Sequence, residues 1–89
     1  MNEPVHAIAT FLTDGTIHPH YIQVNDVTYK LGDIVYIKDE IFAGIPTRLF
    51  CCCLEADGTT HEIKVRYHFR THQWVLIGGS DNAIFKSST

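Results

Sequence analysis

The sequence predicts an all-β fold, a small antiparallel barrel or sandwich of six to seven short strands joined by hairpin turns. Three observations predict it. Runs rich in β-branched and aromatic residues recur at fairly even spacing. Turn pairs such as Asp14-Gly15, Asn25-Asp26 and Asp57-Gly58 fall between those runs. Residues 61–69 alternate with period 2, placing Ile63, Val65, Tyr67 and Phe69 on one face and Glu62, Lys64, Arg66 and His68 on the other.

Taken in order, the first strand is expected over residues 5–12 and the second over 17–24. Pro19 has no N–H for a ladder, so the second strand starts late or lies at an edge. Residues 27–31 alternate apolar and polar, and Gly32-Asp33 breaks that run. Residues 34–38 read as a fourth strand, with one helical turn around residues 39–42; a helix through Ala43 is the rival reading, because Ile34, Ile37, Ile41 and Phe42 approximate helical spacing. Gly44 and Pro46 put Ile45 in a loop. The continuous apolar stretch 48–55 reads as a central strand buried on both faces. Residues 73–77 close the fold, and Phe11, Tyr29, Tyr67 and Trp74 are its expected aromatic core.

The chain has 89 residues, which fits one domain, expected over residues 1–79. Residues 80–89 read as a C-terminal tail, partly disordered. With 45% hydrophobic and 19% charged residues, the composition excludes an intrinsically disordered chain. No apolar run approaches the roughly 18 residues of a membrane helix, so no membrane partner is expected. The start Met1-Asn2-Glu3-Pro4 lacks the pattern of a secretory signal, and the expected compartment is the cytoplasm. A chain this short buries only about two-thirds of its unfolded surface, leaving few apolar side chains to line a deep substrate cavity. That weighs against an enzyme.

Taken together, Asp14-Gly15, Pro19, Ile22, Val24, Tyr29, Ile37, Arg48, Phe50, Gly58, Ile63 and Trp74 resemble the pattern of a set of small uncharacterised bacterial all-β proteins. That pattern is a D-G turn, a proline-led strand, a V-x-x-x-x-Y strand, R-x-F, a glycine turn and a closing tryptophan strand. The resemblance spans residues 5–76 and implies the fold. It implies no activity, catalytic residue or cofactor, and the triple cysteine and abundant histidines depart from it.

Lys and Arg total 7 against 10 Asp and Glu, giving a formal charge of -3. Nucleic-acid binders show a basic stripe or a high pI, and this chain has a pI near 6.0. Cys51, Cys52 and Cys53 are consecutive, a poor disulfide framework, and are expected as packed, reduced thiols. His18 with His20, and Cys51 with Cys53, are i, i+2 pairs that share a face, so adjacent strands would bring up to four ligands to one metal. Neither pair completes a zinc motif, and no cofactor is implied. Cysteine nucleophiles lack a local signature, and Asp39-Glu40 reads as a solvated turn. No phosphate loop, dinucleotide fingerprint or serine elbow is present.

The expected function is a non-catalytic binding or protein-interaction module, with Phe42 and Ile45 in its contact patch. The alternative is single-stranded nucleic-acid binding along Lys64, Arg66 and His68, with Tyr21 or Trp74 stacking a base.

Overall fold

In the computed structural model, residues 2–56 and 58–77 are described. The expected tail at 80–89, and Asp57 of the third hairpin turn, lie outside these residues. Six strands follow in order: β1 (Asn2–Phe11), β2 (Ile17–Val24), β3 (Val27–Phe42), β4 (Ile45–Ala56), β5 (Thr59–His68) and β6 (Gln73–Ile77). Each pairs antiparallel with the next, and β6 returns to β1, so the sheet closes into a barrel. Among the described residues no helix is long and apolar enough to cross a membrane.

Tight turns make this order cheap in chain length. Asn25 and Asp26 (φ 53 and 65°) join β2 to β3, and Ala43 and Gly44 (φ 52 and 79°) join β3 to β4. Two consecutive residues at positive φ are the two-residue hairpin geometry that matches strand twist. The β1–β2 turn is wider. There the Leu12 N–H donates to the Thr16 carbonyl at 2.8 Å, and the Thr16 N–H donates to Asp14 Oδ1 at 2.9 Å. That side-chain bond holds Asp14 below the usual carboxylate range.

Closure depends on two strands whose successive halves pair with different neighbours. The first residues of β1, Asn2 to Val5, pair with β6, and His6 to Phe11 pair with β2. In β3, Val27 to Lys30 pair with β2, and Leu31 to Phe42 pair with β4. Bulges make the bends, between Ile8 and Ala9 in the β1–β2 ladder and on both sides of Ile34 in β3.

Several sequence expectations are corrected here. Gly32-Asp33 does not end a strand; the register slips there and β3 runs on for 16 residues. The predicted strands 27–31 and 34–38 are therefore one, and residues 39–42 are strand rather than a helical turn. Their apolar spacing imitated a helix, but pairing with β4 decides the conformation. The loop expected around Ile45 is a tight hairpin, with Ile45 and Pro46 inside β4. β2 has the expected span, Ile17–Val24, and does not start late, since it begins ahead of Pro19. The bulge accommodates the proline, in a stretch that β1 alone pairs among the described residues, so no ladder bond needs its missing N–H.

The interior is built from alternate residues of every strand. Ile17, Ile22, Val24, Leu31, Phe50, Cys52, Leu54, Ile63, Val65, Tyr67, Trp74 and Leu76 form one buried cluster. In β2 the bulge turns His20 and Tyr21 outward together, so Pro19 and Ile22 both face in. Tyr67 and Trp74 pack with tilted rings, 4.8 Å between centroids, and Phe50 meets Trp74 at 5.5 Å. Tyr29 packs at the edge of the cluster. Phe11, expected inside, is 55% exposed at the barrel rim, where its ring meets Tyr67. As the last residue of β1 it stands where the barrel wall ends. β4 is central, as its composition suggested, because β3 and β5 flank it and both of its faces are buried.

Phe50 has no exposed surface, so Phe50→Ala is expected to destabilise the fold by about 3–5 kcal/mol through lost burial and a residual cavity. Ile41→Ala, at a largely exposed site, is expected to stay within about 0.5 kcal/mol. Urea unfolding followed by Trp74 fluorescence measures both, and equal costs would contradict this core.

Candidate functional site

Register defines what the outer face of the β3–β6 sheet presents. Tyr36 lies beside Cys51, which lies beside Lys64; Lys38 lies beside Leu49, then Arg66; Glu40 lies beside Thr47, then His68. Thr47, Leu49 and Cys51 are buried although they point away from the barrel interior. Long neighbours on β3 and β5 supply the cover, laying their stems over β4.

Arg66 is the main such strap. Its Nη1 donates to Glu40 Oε1 at 2.9 Å and to Thr47 Oγ1 at 3.0 Å. The guanidinium carbon sits 4.8 Å from the Phe42 ring centroid. Thr47 Oγ1 donates in turn to the Glu40 carbonyl at 2.9 Å, and Lys38 Nζ approaches Glu40 Oε2 at 3.3 Å. The hydrogen bond from Arg66 first, and then that from Lys38, hold the Glu40 carboxyl below its ordinary range. Phe42 also meets His68 edge-on at 6.2 Å.

The proposed cationic track is thereby altered. Lys64, Arg66 and His68 do share the outer face of β5, as the alternation predicts. Arg66, however, is neutralised by Glu40 and mostly covered, with 12% of its side chain exposed. Trp74 is inside the barrel, so it is not placed to stack a base. Tyr21 is 38% exposed but sits on β2, whereas the track is on β5.

On the opposite face of the β3–β4 hairpin, Arg48 makes a second set of contacts. Its Nε donates to Asp39 Oδ1 at 2.7 Å, and its Nη1 donates to the Gly15 carbonyl at 3.0 Å. The guanidinium carbon stands 5.2 Å from the Phe69 centroid. Arg48 therefore fastens the hairpin to the β1–β2 turn, and its hydrogen bond holds Asp39 below the usual carboxylate range. Sequence reasoning gave Arg48 no such role; a lone arginine entering an apolar strand was the available signal.

Beyond this fastening the hairpin continues as an arm. β2 leaves β3 after Lys30, and among the described residues no other strand pairs with that edge of β3. Val35 (50% exposed), Ile37 (48%), Ile41 (71%) and Phe42 (43%) are apolar residues on this stretch. Ile45 lies opposite Phe42 at the tip and is partly buried.

The cysteine and histidine candidates do not converge. His18 and His20 share the outer face of β2, with ring centroids 4.6 Å apart and His20 Nε2 2.7 Å from Thr10 Oγ1. Cys51 and Cys53 lie on β4, with β3 standing between those strands in the barrel. Among the described residues no group of three or more His, Cys, Asp or Glu is placed to hold a metal ion. Cys51 and Cys52 are buried and Cys53 is partly so, all as free thiols. Burial pushes the Cys52 thiol up to about 12 and raises Cys51, which disfavours the nucleophilic thiolate.

An open cleft of about 520 Å³ lies at one end of the barrel, lined by Val5, His6, Phe11, Tyr67, His72 and Trp74 among others. In it the Tyr67 hydroxyl and His72 Nδ1 are 2.8 Å apart, and burial raises the Tyr67 phenol. No cysteine lines this cleft. Comparisons with protein-family models, curated proteins and solved structures find no significant match.

Two outcomes follow from these environments. Alkylation at mildly alkaline pH is expected to label Cys53 in the native protein and all three cysteines after unfolding; mass spectrometry reads the sites, and native labelling of Cys52 would contradict its burial. Asp39 and Glu40 both have depressed native pKa values, so their stabilisation is present at neutral pH and is lost as pH falls below about 4. Asp39→Asn with Glu40→Gln is expected to flatten that acid limb in pH-dependent urea unfolding. An unchanged limb would place the acid sensitivity elsewhere.

Proposed function

We propose that this chain is a non-catalytic protein-interaction module that receives an extended partner segment along the distal edge of β3. The observation that carries the reading is the arm itself. From Val35 to Phe42, β3 is bonded on one side by β4 and, among the described residues, by no strand on the other. An exposed edge offers a row of backbone donors and acceptors that a partner strand can complete. Apolar side chains on both faces of the edge, Ile37 and Ile41 on one and Tyr36 and Phe42 on the other, supply the burial that such pairing needs. Phe42 and Ile45, marked from sequence as contact residues, sit together at the tip.

Rigidity supports the same reading. Arg66 on one face and Arg48 on the other fix the arm to the barrel, so little conformational freedom remains to be lost on binding.

Ile41→Lys is expected to leave the fold intact and to abolish partner capture, with crosslinks from captured protein mapping to residues 35–42 in the unsubstituted chain. Capture indifferent to Ile41→Lys would overturn the proposal, as would a turnover activity abolished by one substitution in the barrel-end cleft.

A further inference from the structure

The two-residue turn makes Phe42 and Ile45 a hydrogen-bonded pair, and the alternation of an antiparallel ladder carries that pattern to Glu40 with Thr47 and Lys38 with Leu49. The intervening residues Ile37, Asp39 and Ile41 then aim their backbone N–H and C=O groups at the free edge. We infer that the strand received there is the same edge of a second copy of this chain, in a two-fold antiparallel pairing centred on Asp39. This deepens the interaction reading above and rests on it.

Self-complementarity carries the inference. A two-fold axis through the sheet matches residues of the same face, so each possible centre gives a fixed set of opposite pairs. Centred on Asp39, Lys38 faces Glu40 of the second copy, Ile37 faces Ile41, and Tyr36 faces Phe42, each pair occurring twice. Charge meets opposite charge, aliphatic meets aliphatic and aromatic meets aromatic, the combinations that favour cross-strand pairing. Neighbouring centres fail this test. Centred on Lys38, the register sets Ile37 against Asp39 and Lys38 against itself. Centred on Glu40, it sets Asp39 against Ile41 and Lys38 against Phe42.

The one like-charged pair in the favoured register is Asp39 with its own copy on the axis. Each of these carboxylates is already held by an Arg48 guanidinium, through Nε at 2.7 Å and Nη2 at 3.4 Å, so two ion pairs meet there rather than two bare charges. The central pairing adds about six backbone hydrogen bonds, two at each of its three hydrogen-bonded positions. Ile41 and Ile37, 71% and 48% exposed in the single chain, would be covered by one another.

Sedimentation of the full chain from micromolar to millimolar concentration tests the pairing. The mass is expected to rise from 10.1 kDa toward twice that value. Ile41→Lys is expected to remain monomeric, and Lys38→Glu, which sets Glu against Glu40 of the second copy, to weaken association about tenfold. Glu40→Lys alone is weakened likewise, and mixing it with Lys38→Glu is expected to restore a heterodimer because both cross-axis pairs become attractive again. Trp74 fluorescence checks the barrel of each variant and amide protection at positions 38, 40 and 42 checks the arm, from which Glu40→Lys removes the Arg66 bond; should Glu40→Lys not keep its arm, Ile41→Lys and Lys38→Glu decide the question. A chain monomeric at millimolar concentration, association indifferent to these variants, or folded variants that fail to pair on mixing would each overturn the inference. A monomer whose capture of another protein still requires Ile41 would overturn self-pairing and leave the interaction reading standing.

Discussion

The six-strand barrel closes through strands whose halves pair with different neighbours, and β3, 16 residues long, is the longer of the two that do so. It leaves β2 after Lys30, slips register around Gly32 and Asp33, and continues along β4 to the hairpin at Ala43-Gly44. The bend lets the wall close. It also leaves the second half of β3 without a described strand on its outer edge, so the feature that completes the barrel creates the arm. Fold and candidate site share one physical cause.

β4 ties the arm to the core. Phe50, Cys52 and Leu54 point into the barrel, while Thr47, Leu49 and Cys51 are buried on the other face beneath side chains from β3 and β5. Two arginines brace the arm through different chemistry. Arg66 lies on the outer face against Glu40, Thr47 and Phe42, and Arg48 reaches from the inner face to Asp39 and the Gly15 carbonyl. Their guanidinium groups offer several donors in a fixed plane, which suits one side chain to two acceptors and a ring. Binding sites on rigid elements hold their geometry without a large ordering cost.

The sequence displayed the strands better than it displayed their joins. Alternation in β5, the apolar run of β4 and the Asn25-Asp26 turn follow from local side-chain chemistry, and each matches the structure. Gly32-Asp33 carried the same composition as a turn, but a bulge uses such residues equally well, and long-range pairing with β4 decides between them. Phe11 looked like core because a strand pattern does not tell where the barrel rim cuts it. The Lys64, Arg66 and His68 alternation was legible, while the pairing of Arg66 with Glu40 was not, since it joins residues 26 apart in sequence. The distance between the His18/His20 and Cys51/Cys53 pairs likewise became visible only with strand order.

Residue-resolved hydrogen exchange on β3, labelled in dilute solution and read by NMR, tests the free edge most directly. Amides aimed at β4, those of Lys38, Glu40 and Phe42, are expected to be protected, while those of Ile37, Asp39 and Ile41 exchange fast, giving a strict alternation along the arm. Slow exchange at all six would mean that the edge is already occupied within the single chain, and fast exchange at all six that the arm is not a formed hairpin. Either result would contradict the account.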